Sequence, residues 1–120
     1  MVYKHIVMWK FKEQHNGKSA LENARWMKEQ LEGLVGVVPE LLSAEVGISP
    51  ALEQAAAAQS NAAAAPAPAA SGEYDACLVS TFASPEALAA YKVHPKHKAI
   101  SAYCKEARLK RLAFDWWSEE

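Results

Sequence analysis

The opening residues, MVYKHIVMWKFK, alternate with a period of two from Val2 to Lys12. Tyr3, His5, Val7, Trp9 and Phe11 fall on one side, and Val2, Lys4, Ile6, Met8, Lys10 and Lys12 on the other. That period is the signature of a β-strand, whose successive side chains point to opposite faces of a sheet. Both sides carry large apolar residues, so the sheet built on this strand needs two apolar covers. The C-terminal run RLKRLAFDWW repeats the pattern, with Leu112, Phe114 and Trp116 opposing Leu109, Ala113 and Trp117. Helices of one subunit can cover one face. A second copy of the chain is the simplest cover for the other.

Between these strands the punctuation is clear. HNGKS, residues 15–19, reads as a turn, and Ser19 with Glu22 fits a capping box. Leu21, Ala24, Met27, Lys28, Leu31 and Leu34 then recur at helical spacing, predicting a helix from about residue 20 to Leu34 that ends near Gly36. Pro39 prevents its continuation. A second strand is predicted over about Leu42–Ile48, and a third over residues 74–83, YDACLVSTFA. Ser84-Pro85-Glu86 opens another helix with a capping serine, a proline at the first position and an acid in the first turn. That helix, with Leu88 and Tyr91, must yield near His94, because Pro95 disfavours helical geometry for the residue before it. Helix resumes from Pro95, with Ile100, Tyr103 and Cys104 facing inward, and residues 107–117 form the fourth strand. The order is β-α-β-β-α-β, a ferredoxin-like α+β subunit with a four-stranded antiparallel sheet.

Residues 51–72, ALEQAAAAQSNAAAAPAPAASG, stand apart. Twelve of the chain's 24 alanines lie between Ala51 and Ala70, and Glu53 is the segment's one charged residue. The segment reads as a low-complexity surface insertion within a single domain spanning 1–120: its AAAA runs suit a short helix, and APAPAAS breaks one. Without it, about 100 residues remain, enough for one small core.

Composition narrows the function classes. The formal charge is −1, from 13 basic and 14 acidic residues, which argues against a nucleic-acid or other polyanion binder. No run of eighteen apolar residues predicts a membrane span. The lysines among the first twelve residues do not suit a signal peptide, so the expectation is a cytoplasmic protein. The two cysteines, Cys77 and Cys104, have no zinc-ligand spacing and no neighbouring base, so they read as packing residues. The five glycines are scattered and form no phosphate-cradling loop.

The densest polar cluster is AYKVHPKH, with Tyr91, His94 and His97 within seven residues at a helix break. An H-x-x-H pair can ligate a metal, with His5 or Asp75 as a third ligand. Pro95 between the histidines spoils the helical register, and the expectation is no metal; capping and hydrogen bonding are the alternative roles of the pair. His5 lies mid-strand on the helix-facing side, where an imidazole needs a partner. Tyr91, His97 and His5 are predicted to face one pocket, with Val7, Trp9 and Leu31 as apolar walls and His94 beside them. A histidine with an ordinary pKa near 6.5 in such a pocket would suit a general base, and a neighbouring phenol would suit hydrogen bonding to a developing oxyanion.

KHIVMWKFK, LVSTFASPEALAAYKVHPKH and RLAFDWW together resemble the stress-responsive α/β-barrel (Dabb) domain. Lys4-His5, the Phe82–Tyr91 stretch, His94-Pro95-x-His97 and Phe114-Asp115 occur in that family's order. The resemblance implies a subunit that dimerises through its sheet into a dimeric α/β barrel. It also implies a range of activities: stress-induced proteins of unassigned function, antifungal proteins, and a cofactor-free polyketide cyclase. In the cyclase a histidine, matched here by His97, abstracts a proton with help from a tyrosine, matched by Tyr91; His5 and His94 also fall on family histidines. Ala76 and Leu31 stand where the cyclase has another histidine and tyrosine. Three readings follow: a homodimer that binds a small apolar molecule between sheet and helices; a cofactor-independent enolising or cyclase-like enzyme using His97 and Tyr91; and a structural or assembly protein whose pocket is filled core.

Overall fold

The alternating N-terminal residues become the strand around which the sheet is built. The computed structural model describes residues 1–60 and 73–119. Its elements, in chain order, are β1 (Val2–Phe11), β2 (Gln14–His15), β3 (Lys18–Ser19), α1 (Ala20–Glu32), β4 (Ser43–Ile48), α2 (Pro50–Ser60), β5 (Ala76–Phe82), α3 (Pro85–Val93), α4 (Pro95–Ala107) and β6 (Arg108–Ser118). The four long strands form one antiparallel sheet in the order β4-β5-β1-β6. The fold is ferredoxin-like.

Central β1 pairs with β5 on one side and β6 on the other, so its residues from Tyr3 to Trp9 each have two fixed neighbours. His5 lies opposite Ser80 and Asp115, and Trp9 opposite Ala76 and Arg111. His5, Val7, Trp9 and Phe11 are buried beneath the helices, as their shared parity requires. They join Met27, Leu31, Leu78, Phe82, Leu88, Tyr91, Ile100 and Cys104 in one core. The opposite face, with Ile6 and Met8 beside Phe114 and Leu112, has no cover among the described residues: Phe114 is 64% exposed and Leu112 51%.

Local rules set the helix ends. Ser19 accepts from the Glu22 N–H while the Glu22 carboxylate accepts from the Ser19 N–H, both at 3.1 Å, completing the capping box. Ser84 caps α3 by accepting from the Ala87 N–H at 3.1 Å. His94 is extended (φ −62°, ψ 134°), as a residue before proline should be, and separates α3 from α4. Lys28 donates to the Val46 carbonyl at 2.6 Å, and Glu32 accepts from the Val46 N–H at 2.8 Å. This double latch fixes α1, and with it Leu31, over the sheet.

Several predicted boundaries move. Helix α1 stops at Glu32, capped by Gly33, rather than near Gly36. Leu34, Val38 and Leu41 are nonetheless buried in the turns that follow, so apolar spacing outlasts the helix. The HNGKS turn is a two-stranded hairpin, β2–β3, whose central Asn16 and Gly17 take φ of 56° and 74°, the pairing a type I′ turn demands. Within the predicted insertion, Pro50–Ser60 forms α2, and Leu52 packs against the core. Residues 61–72 of that segment lie outside the described residues.

Candidate functional site

The helices do not close completely over the sheet. A cavity of about 320 Å³ remains between β1, β5 and β6 below and α1, α3 and α4 above. Its apolar walls come from Val7, Trp9 and Leu78 on the sheet, Leu31 on α1, and Ile100 and Cys104 on α4. Helix α4 turns one face to it, with His97, Ser101 and Cys104–Lys105 recurring at helical spacing, and Arg108 follows at the start of β6.

Two histidines meet this space. His5 is 3% exposed, and its Nδ1 is paired with an Asp115 carboxylate oxygen on the neighbouring strand. The carboxylate accepts, so Nδ1 carries the proton and Asp115 orients the ring. Burial holds the His5 pKa below its ordinary value; the Asp115 bond and charge raise it, and the positive charges of Lys92 and Arg111 lower it further. His97 Nδ1 donates to the Lys92 carbonyl at 3.2 Å, which leaves Nε2 with a bare lone pair. Burial is again the main cause of a lowered pKa, opposed by the Lys92 carbonyl and assisted by His5, Arg111 and Lys92. Both imidazoles are therefore neutral near pH 7, and His97 has the electronic state of a general base.

Of the predicted site residues, His5, His97, Val7, Trp9 and Leu31 line this one cavity. Tyr91 and His94 do not. Tyr91 is fully buried behind His97, with ring centroids 4.3 Å apart, and packs on Phe82 at 5.1 Å. Its hydroxyl has no hydrogen-bond partner among the described residues, and burial pushes its pKa up, so the phenol stays protonated. Helix α3 aims the ring inward as its spacing implied, but into the packed core rather than the cavity wall. His94 serves as the cap of α4: its Nδ1 accepts from the Lys96 N–H at 3.1 Å. Asp75, considered as a metal ligand, instead accepts from the Phe11 N–H at 2.9 Å and from Lys10 Nζ at 3.0 Å, tying the start of β5 to β1. Burial pushes the Cys104 thiol up to about 12, so it lines the wall as a neutral, apolar group.

Sequence reading missed Asp115 as the partner of His5, and Lys92, Lys105, Arg108 and Arg111 at the cavity mouth. The signals were present: Arg111 and Asp115 share parity with Ala113 on β6, and Lys105 and Arg108 follow His97 and Ser101 at helical spacing.

Fold and cavity together define a ferredoxin-like subunit with a pocket between its sheet and its helices. The chain belongs to the Dabb family: residues 3–118 match the stress responsive A/B barrel domain. A search of curated proteins finds no match. Among solved structures, a Bacteroides fragilis protein of unknown function with a ferredoxin-like fold is similar at a TM-score of 0.74 and 20% identity, covering 98% of this chain and 96% of that one. The hydroxynitrile lyase of Passiflora edulis is similar at 0.68 and 18% identity, covering 99% and 95%. A Mesorhizobium loti Dabb-family protein is similar at 0.65 and 13% identity, covering 99% and 98%. At these identities the likeness shows the fold.

Proposed function

We propose that this protein is a homodimer that binds a small, largely apolar molecule in the cavity between sheet and helices. The observation that carries the reading is the open space itself: a 320 Å³ cavity floored by Val7, Trp9 and Leu78 and faced by two neutral histidines, where a filled core was the alternative. Its volume lies at the lower end of the roughly 300–1,000 Å³ of small-molecule sites. The reading is tested by native mass spectrometry on gently purified protein together with Leu31→Trp, which fills the cavity from α1. A co-purifying small mass present in the parent and absent from the variant supports it. If neither carries a ligand, and no apolar library compound shifts the Trp9 indole resonance, the reading fails.

The homodimer is supported by the uncovered apolar face bearing Ile6, Met8, Leu112 and Phe114. The structurally similar proteins of B. fragilis, Thermobifida fusca and Jannaschia are each described as dimeric. Phe114→Lys places a charge on that face and should convert a particle of twice 13.1 kDa into a monomer in light scattering. A parent chain that is monomeric at micromolar concentration refutes the assignment.

A second reading has its own observation: His97 lines the cavity while its Nδ1 donates to the Lys92 carbonyl, which makes Nε2 its basic nitrogen. In an enolising reaction this nitrogen takes the proton from carbon next to a carbonyl and later returns it. Tyr91 lies outside the wall, so the enolate oxygen would be met by Ser101 or by the cations at the mouth. His97→Gln should abolish turnover of an enolisable ligand while sparing its affinity. Equal turnover by the variant removes His97 as the base.

A further inference from the structure

The polar groups at the cavity mouth are strongly biased in charge. Lys92, Lys105, Arg108 and Arg111 all line it, and among the described residues the ion pairs are made by other cations: Lys10, Lys28, Lys110 and His5. The whole chain carries a formal charge of −1, so four of its 13 lysines and arginines gathered at one opening are a local arrangement, not a basic composition. Helix dipoles account for a cation in the last turn of α3 and of α4, which are Lys92 and Lys105. They do not account for Arg111, which sits on β6 opposite Trp9. Asp115, the carboxylate whose charge acts on Arg111, is engaged by His5. Burial, and then the Arg108 charge, work against the Arg111 guanidinium, and Asp115 offsets them incompletely. An anion at the mouth would relieve that repulsion.

We propose that the cavity is a site for small apolar molecules bearing one carboxylate, with Arg108 and Arg111 holding the carboxylate and Val7, Trp9, Leu31 and Ile100 enclosing the apolar body. The proposal rests on the cavity being a ligand site. A planar guanidinium presents paired donors that match a carboxylate, and its grip strengthens beside a dry apolar wall. Among the described residues no glycine lines the cavity, so the anion would be met by side-chain cations, and a carboxylate is the anionic group that Arg108 and Arg111 can grip in paired fashion while the apolar body stays against the walls.

The test is a titration of the 15N-labelled full chain with phenylacetate and octanoate, and with their neutral counterparts phenylacetamide and octanamide, following the Trp9 indole N–H. Each acid should bind at least tenfold more tightly than its amide. That ratio should shrink when salt rises from about 50 to about 500 mM, because the mouth is solvent-facing. Arg111→Gln, and independently the helix-surface variant Lys105→Gln, should each reduce it. Acid and amide binding with equal affinity overturns the carboxylate proposal while leaving the apolar site intact. No indole shift with any of the four compounds overturns the proposal and counts against the ligand site as well.

Discussion

Replacing Tyr91 with phenylalanine removes one oxygen atom from the middle of the core and leaves the ring in place. The hydroxyl is fully buried and makes no hydrogen bond to the described residues, whereas the ring packs on Phe82 and His97. A buried hydroxyl without a partner carries a desolvation penalty of about 1–3 kcal/mol, which the folded chain bears and the unfolded chain does not. Deleting it recovers that penalty less the cost of a one-atom void, at about 24 cal/mol per Å³ of cavity. The net expectation is a gain of about 1 kcal/mol, and a melting temperature higher by about 4 °C for a chain of this size. Calorimetry and urea unfolding measure it, the latter with an unchanged slope. Tyr91→Ala is the counterpart: it also loses the ring, and should cost about 3–5 kcal/mol by analogy with other buried aromatics. Ligand affinity should not change in Tyr91→Phe, because the cavity wall does not include Tyr91. A variant destabilised by 1 kcal/mol or more would show that the hydroxyl has a partner, such as a buried water, and would refute the reasoning.

Stability should fall as pH drops below the ordinary histidine value of 6.5, because His5 and His97 both have folded pKa values beneath it and the unfolded chain binds protons first. Urea midpoints between pH 7 and pH 5 check this, and the slope should flatten in His97→Gln; a flat parent curve is the contrary result. Replacing residues 51–72 by a short turn should cost about 1–2 kcal/mol beyond loop closure, since the segment includes Leu52, which packs on the core. Leu52→Ala alone should reproduce most of that loss, and a neutral replacement would show that α2 contributes nothing. Asp75→Ala should destabilise by about 1–3 kcal/mol by leaving the buried Phe11 N–H without its acceptor. A chemical-denaturation loss under 0.5 kcal/mol would contradict it.

What could be read from the sequence depended on whether the controlling interaction was local. The parity of β1, the Ser19–Glu22 box, the Ser84 cap and the break at Pro95 are all written within a few residues, and each appears where its residues put it. The partner of His5 is 110 residues away and depends on the register between β1 and β6, which no short-range spacing encodes. Tyr91 shows the same division at one residue. Helical spacing turned its ring inward, but whether the hydroxyl met the cavity or the core depended on how Phe82 and His97 flank it from other elements. Charge was hidden in a different way. Summed over the chain the cations and anions nearly cancel, and that sum is the basis for expecting no polyanion partner. It could not show that α3, α4 and β6 bring four cations to one opening while Asp75, Glu32 and Glu73 pair elsewhere. A net charge describes solubility and long-range attraction; recognition of a small ligand depends on the few charges within a Debye length of its site, and only the fold brings those together.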